Sequence, residues 1–236
     1  MAVIVVHAAI MPHLAPPFTA TRVLAALRRA GDPSSLPFLA AYGIDVSRAF
    51  GVRVPVLRAW AKQIGRDQRL AQALWRSRLH EARILASMVA DPAVFTRRQA
   101  EAWARDFRSW DICDQCCLNL FRRLPRPHAL ALALTRRRAE FTRRAGFSLL
   151  AVLAVHDKAA PVASWRPALA AVERVAGDAR PMVMKGANWA LRQIGKRDAA
   201  CCRLAMPVAR RLARDARASA RWIGHDAVRE LRLTGR

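Results

Sequence analysis

Between residues 181 and 194 the apolar positions fall at Met184, Ala187, Leu191 and Ile194, at the intervals of three and four that mark one face of a helix. The same period runs through most of the chain. Strand-like alternation is nearly absent, and glycine and proline stand mainly between the periodic segments. The pattern predicts helices over residues 20–30, 35–42, 54–64, 68–77, 79–90, 96–106, 110–122, 126–135, 138–154, 161–175, 181–194, 199–214 and 219–232. Local signals agree with several of these ends. Asp91-Pro92 breaks one helix, Ser109 is placed to cap the next, and Pro181 occupies a first-turn position.

Four segments resemble one another: HEARILASMVAD, TRRAGFSLLAVLAVHD, VMKGANWALRQIGKRD and SARWIGHDAVREL. Each opens on a basic or polar turn and runs into small and branched apolar residues. Their separations are compatible with paired-helix units of roughly 35–45 residues, the period of HEAT-like repeats. One such unit leaves an apolar face uncovered, so neighbours must stack. The expected architecture is all-α: a HEAT-like repeat α-solenoid whose concave basic groove is lined by one helix per unit. An ordinary helical bundle is the alternative. Residues 18–236 are read as this single domain. The opening MAVIVVHAAIMPHLAPPFTA has a short apolar run that prolines end early and no basic residues before it, so residues 1–17 are expected to be a disordered leader.

Charge narrows the partner. Lysine and arginine number 41 against 17 acidic residues, a net charge of +24. Only Lys62, Lys158, Lys185 and Lys196 are lysines. Arginine's planar fork suits phosphate, and a coding bias toward arginine does not explain so large an excess over acid. The balance points to a polyanion, nucleic acid first. No run of eighteen or more apolar residues is free of charge, which excludes a membrane-spanning helix. The five cysteines form two clusters without the spacing of a disulfide framework, and a reducing cytoplasm is expected, with the chain a monomer.

Three helical stripes combine basic and aromatic residues. Lys185, Trp189, Arg192 and Lys196 share one face; Trp222, His225 and Arg229 share another; Phe141, Arg144 and Ser148 line up on a third. Together they suggest a groove that tracks phosphates, with aromatic contact points. In SWDICDQCCLNLFRR, Trp110 and Asp114 lie four apart on one line of a helix, while Ile112, Cys116 and Leu120 form its apolar line. Asp111 falls in the first turn, where a carboxylate complements the helix dipole. Asp114 lies deeper. By spacing alone it reads equally as the ion-pair partner of an arginine or as a carboxylate held beside an aromatic in a cationic groove. Cys113 and Cys116 have the gap of a zinc knuckle, and Cys201-Cys202 would complete four thiolates. Both groups sit inside helical patterns without knuckle turns, so the cysteines read as small buried hydrophobes and no metal is expected. There is no glycine-rich phosphate loop, nucleophile elbow or His-Glu-x-x-His motif.

The strings WDICD, RRAGF and KGANWALRQIGKRD, with GVRVPVLRAWAKQIG and HEARILAS before them, resemble the DNA alkylation repair family of HEAT-like DNA glycosylases. The similarity runs from about Tyr42 to Leu233. It implies a solenoid that wraps duplex DNA carrying alkylated bases and releases cationic N3- and N7-alkylated purines as a step of base excision repair, with no metal or cofactor. It also implies a site of Asp114 as the catalytic carboxylate near C1′, Trp110 and Trp189 packed on the deoxyribose, and Arg144 gripping a flanking phosphate, with Arg143 as the alternative. Arg143, Lys185, Arg192, Lys196, Trp222 and Arg229 are expected to bind the DNA backbone. A non-catalytic binder of branched or damaged DNA and a protein-binding helical scaffold are the alternative functions.

Overall fold

The structure is a computed structural model that describes residues 14–234. Among them it has thirteen α-helices and no strand. They are α1 (Ala20–Arg29), α2 (Leu36–Ala41), α3 (Val54–Ile64), α4 (Gln68–Arg76), α5 (His80–Val89), α6 (Arg97–Arg105), α7 (Trp110–Asn119), α8 (Pro127–Thr135), α9 (Glu140–His156), α10 (Arg166–Val175), α11 (Pro181–Lys196), α12 (Ala199–Ala213) and α13 (Ala218–Thr234). Every expected helix is present. The boundaries differ where proline or a cap intervenes. Residues 162–165 form a 3-10 turn instead of opening α10, because Pro167 lacks an amide proton and belongs to a first turn. Asp67, Thr96 and Asp198 cap α4, α6 and α12 by accepting from backbone amides. Ser109 is the N-cap residue of α7, as expected, but its side chain makes no capping bond: the hydroxyl donates to the Asp111 carboxylate, which also accepts from the Ile112 amide at 2.8 Å.

The chain divides into two compact units between Asp91 and Pro92. Of the leader expected over residues 1–17, residues 1–13 lie outside the described residues. Leu14 is buried, and its amide donates to Gln63 Oε1 at 3.3 Å. In this first unit α3 and α4 pack on α5, which is buried along nearly its whole length. The Glu81 carboxylate accepts from the amides of Phe50, Gly51 and Val52 at 2.8, 2.6 and 3.2 Å and pins the turn that leads into α3.

The second unit is built of packed pairs, α8 with α9, α10 with α11 and α12 with α13. The second members form one row in which α7, α9, α11 and α13 touch in succession, and the first members α8, α10 and α12 form another. Small residues set the closeness of these contacts. Cys113 and Cys117, four apart on α7, send their thiols to the carbonyls of Phe141 and Ala145, four apart on α9, at 3.8 and 3.4 Å. Burial pushes the Cys117 thiol well above its ordinary value, so it remains a donor. Cys113, Cys116, Cys117 and Cys201 are all buried, and burial likewise pushes Cys201 up to about 11. At Gly146 the backbones of α8 and α9 almost touch: a Cβ there would lie 2.4 Å from the Thr135 nitrogen and 2.7 Å from the Ala131 oxygen.

Two of the inward glycines of α9 and α11, Gly146 and Gly186, are expected to respond differently to alanine. Gly146→Ala meets backbone and is expected to lower unfolding stability by about 1–3 kcal/mol, the usual cost of overpacking. At Gly186 the nearest atoms to an added Cβ, Arg144 Cγ and Phe147 Cβ, lie at 3.4 Å, an ordinary contact. Gly186→Ala is therefore expected to be neutral or stabilising by up to about 1 kcal/mol, through helix propensity alone. Urea denaturation of both variants checks this, and equal effects would contradict the packing described.

Candidate functional site

The contact of α7 with α9 places Asp114 at its edge, one turn after Trp110. The Asp114 carboxylate is held by three donors from α9. Oδ1 accepts from Arg144 Nε at 3.2 Å and from Ser148 Oγ at 2.7 Å; Oδ2 accepts from Arg144 Nη2 at 2.8 Å. Arg144 Nη1 reaches further, to the Met182 carbonyl in the first turn of α11 at 3.2 Å. Gly186, one turn along α11, carries no side chain in the way of Arg144. The guanidinium carbon lies 5.9 Å from the Trp110 ring centroid, within cation–π range. The Arg144 side chain is 8% exposed and that of Asp114 19%. Burial works against the Arg144 charge, but the Asp114 carboxylate more than offsets it, so the guanidinium holds its proton more tightly than in water.

This geometry separates two expectations. Asp114 and Trp110 are brought together with Arg144 and Ser148, as one cluster spanning α7, α9 and α11. Arg144 does not stand ready for a phosphate, because its fork faces Asp114 and the far nitrogen faces Met182. The ion-pair reading of Asp114 is the geometry observed. Nor are Arg144 and Ser148 part of a solvated stripe: both are buried against the carboxylate. Spacing alone puts Ser148 on a phosphate-tracking face; its role as a third donor needs the α7–α9 pairing, which no local signal encodes. Trp189 is half-buried on α11, seven residues beyond Met182.

The cationic stripe of α11 is mostly compensated. Arg192 pairs with Glu230 and, at 3.5 Å, with Asp226; Lys196 pairs with Glu230, and Arg229 with Asp226. Asn188 donates to Asp226 at 2.8 Å. Asp226 and Glu230 are four apart in α13, a spacing visible in the sequence, and they bring acid to the face expected to be basic. Lys185 is exposed, as are Trp222 at 43% and His225. Arg143, the alternative phosphate clamp, donates to Asp178 Oδ2 and to the Arg137 carbonyl, each at 2.7 Å. Among the described residues no group of three or more histidines, cysteines or acids is gathered as a metal site.

Paired helices in two rows, with a carboxylate, a guanidinium and an indole gathered in the N-terminal halves of the helices of one row, define a helical-repeat protein with a polar site on that row. A profile of the family described as DNA alkylation repair enzyme matches residues 23–231, and the chain belongs to that family. A solved structure described as a new family of proteins related to the HEAT-like repeat DNA glycosylases, with affinity for branched DNA structures, superposes with a TM-score of 0.75 at 17% identity. That superposition covers 90% of this chain and 95% of the other, and it assigns the HEAT-like repeat fold. A designed armadillo repeat protein in complex with the peptide (KR)4 covers 89% of this chain and 93% of its own with a TM-score of 0.41 and 14% identity, too distant to carry an argument. No curated protein matches the sequence significantly.

The Arg143–Asp178 pair permits a test of the turn that precedes α11. The Asp178 carboxyl is held well below the usual range, first by the Arg180 side chain at 2.6 and 2.9 Å and then by Arg143. A depressed carboxylate contributes stability that is fully present above its unfolded value of 3.8 and is lost as pH falls through its folded value. Asp178→Asn is expected to cost about 1–3 kcal/mol near neutral pH, the scale of hydrogen bonds to a charged group. Urea melts at neutral pH and at pH values below 3.8 should show the gap to wild type narrowing in acid. A gap unchanged with pH would contradict this.

Proposed function

We propose that the chain is a DNA glycosylase that removes cationic N3- or N7-alkylated purines from duplex DNA. The observation that carries the reading is a carboxylate fixed in orientation by Arg144 and Ser148 beside the Trp110 indole, in a family of DNA alkylation repair enzymes. Alkylation at N3 or N7 leaves the base positively charged, so the C1′–N bond breaks with its electron pair going to a neutral base. The sugar passes through an oxocarbenium-like state of the kind that glycosidase carboxylates stabilise. Water then adds at C1′ and loses a proton. Asp114 counters the developing charge and orients that water. Its pairing with Arg144 reduces the attraction an unpaired carboxylate would exert, and in exchange the oxygens are kept at fixed positions. Arg144 is thus a positioning residue in this reading. Trp110 and Trp189 offer π-faces to the sugar. Phosphate contacts fall to exposed cations such as Lys185.

Excision by single turnover is the deciding assay. Asp114→Asn is expected to slow release of 7-methylguanine by about 10²–10³, the usual effect of deleting a transition-state charge stabiliser, while leaving DNA binding intact. Asp111→Asn, which alters the capping network of α7, should cost about 0.3–1 kcal/mol of stability and little activity. A second reading is favoured by the compensated charge of Asp114 and by the structural neighbour with affinity for branched DNA: a binder of DNA structure without catalysis. Release of no base by the wild type, or wild-type rates in Asp114→Asn, would select it.

Salt dependence tests the DNA partner itself. With a net charge of +24, duplex affinity is expected to fall steeply with salt. The log–log slope should be about −4 or steeper, as several phosphates are neutralised together. Lys185→Gln is expected to make the slope shallower by about one. Arg192→Gln should not, because Glu230 and Asp226 already occupy its charge. A flat wild-type slope would point to a protein-binding scaffold.

A further inference from the structure

A second concentration of charge lies outside the Asp114 site. An open cavity of about 720 Å³ sits where α8 leads to α9, α10 to α11 and α12 to α13, and Arg136, Arg143, Arg174 and Arg217 line it together with Asp178 and Gly177. Three successive helical pairs each contribute an arginine. Two of the turns repeat one motif, Asp178-Ala-Arg180 and Asp215-Ala-Arg217. In each, the aspartate Oδ1 accepts from the arginine's own amide, at 3.2 and 2.8 Å, and the carboxylate takes the arginine's side-chain fork. The turn therefore orients a guanidinium before any ligand arrives. Arg217 lies flat over Gly177, where a Cβ would come within 2.7 Å of its Nη1. Arg174 Nη2 is steadied by Thr135 Oγ1 at 3.4 Å, and Arg136 is exposed. Counting Arg180 and Asp215, the ion-pair partners of lining residues, the cluster holds five guanidiniums and two carboxylates, so it keeps an excess of positive charge. Like charges gathered at this density repel one another, and the natural relief is an anion.

We infer that this cavity is a seat for phosphodiesters of a nucleic-acid strand, separate from the site that holds the sugar. The inference rests on the reading of the chain as a DNA-binding protein, and it extends the interface to the turns. A strand is favoured over a small phosphorylated ligand because the arginines come in sequence from three repeats and the cavity is open along them, which suits a linear polyanion. Adjacency supports the same choice. Arg143 and Arg144 are neighbours in α9: one is tied to Asp178 in the cavity wall and the other to Asp114 in the site. A backbone passing Asp114 thus has the cavity beside it.

The test is duplex binding across a salt series, read by fluorescence anisotropy on an unmodified labelled duplex, with excision measured separately. Arg136→Gln/Arg174→Gln, at two exposed arginines of the cavity lining, is expected to weaken binding by tenfold or more and to make the log–log slope shallower by about two, one for each phosphate left unneutralised. Arg136→Gln alone, which breaks none of these ion pairs, should make it shallower by about one. The control is Arg166→Gln/Arg203→Gln, exposed residues near the starts of α10 and α12, away from the cavity. It removes the same charge and should leave the slope unchanged. Cavity and control pairs that behave alike would overturn the inference. Should they behave alike while ATP raises the melting temperature of the wild type and not of the cavity variant, the arginines belong to a small phosphorylated ligand, which overturns it equally. A wild type that binds with the expected slope but excises nothing removes the catalytic proposal alone and leaves the seat supported.

Discussion

The site depends on one buried ion pair. Arg144 and Asp114 meet through two parallel hydrogen bonds across the α7–α9 contact, with Ser148 as a third donor and the Met182 carbonyl taking what remains of the guanidinium. A pair so enclosed is tolerated only when every donor and lone pair is answered, because removing one partner leaves a charge that burial makes expensive. Its geometry demands close helices. Thiols on α7 that bond to carbonyls on α9 supply that closeness. Cysteine serves there as a short hydrophobe with a weak donor, which accounts for Cys113 and Cys117 beside a catalytic candidate.

Electrostatics across the second unit follow a related logic. Residues 92–236 carry 29 basic and 12 acidic side chains, yet several of those acids sit against arginines near the expected contact face. Asp226 and Glu230 hold Arg192, Lys196 and Arg229; Asp178 holds Arg143 and Arg180. Such pairs stiffen long side chains and fix where positive charge is presented. The attraction for DNA in this account then comes from the unbalanced remainder, Lys185 with Arg136 and Arg174 of the cavity, and not from each basic residue on a helical face.

Much of the fold was legible because it is local. A period of 3.6 with alanine and leucine inside and arginine outside marks each helix, and proline marks where several begin. Trp110, Asp114 and Arg144 also stood out, as an indole and an acid four apart in a basic chain and as part of a family-like string. The partnership between Asp114 and Arg144 was not legible. It joins residues thirty apart, and which faces meet depends on how closely α7 packs against α9, where Cys113 and Cys117 lie against α9 carbonyls. The same holds for Ser148, read as part of an exposed stripe, and for Arg192 and Lys196, whose neutralisation waits on the placement of α13. Helical periodicity tells which residues share a face; it does not tell what that face meets.

The central claim is that Arg144 acts on the sugar through Asp114 and not on a phosphate of its own. A double-mutant cycle on single-turnover release of 7-methylguanine tests it most directly, using Asp114→Asn, Arg144→Gln and the double variant, each confirmed folded by circular dichroism at the assay temperature. If Arg144 positions Asp114, Arg144→Gln slows release substantially, and the double variant is no slower than Asp114→Asn alone. Losses that multiply in the double variant would mean that the two residues act independently, and would contradict the account.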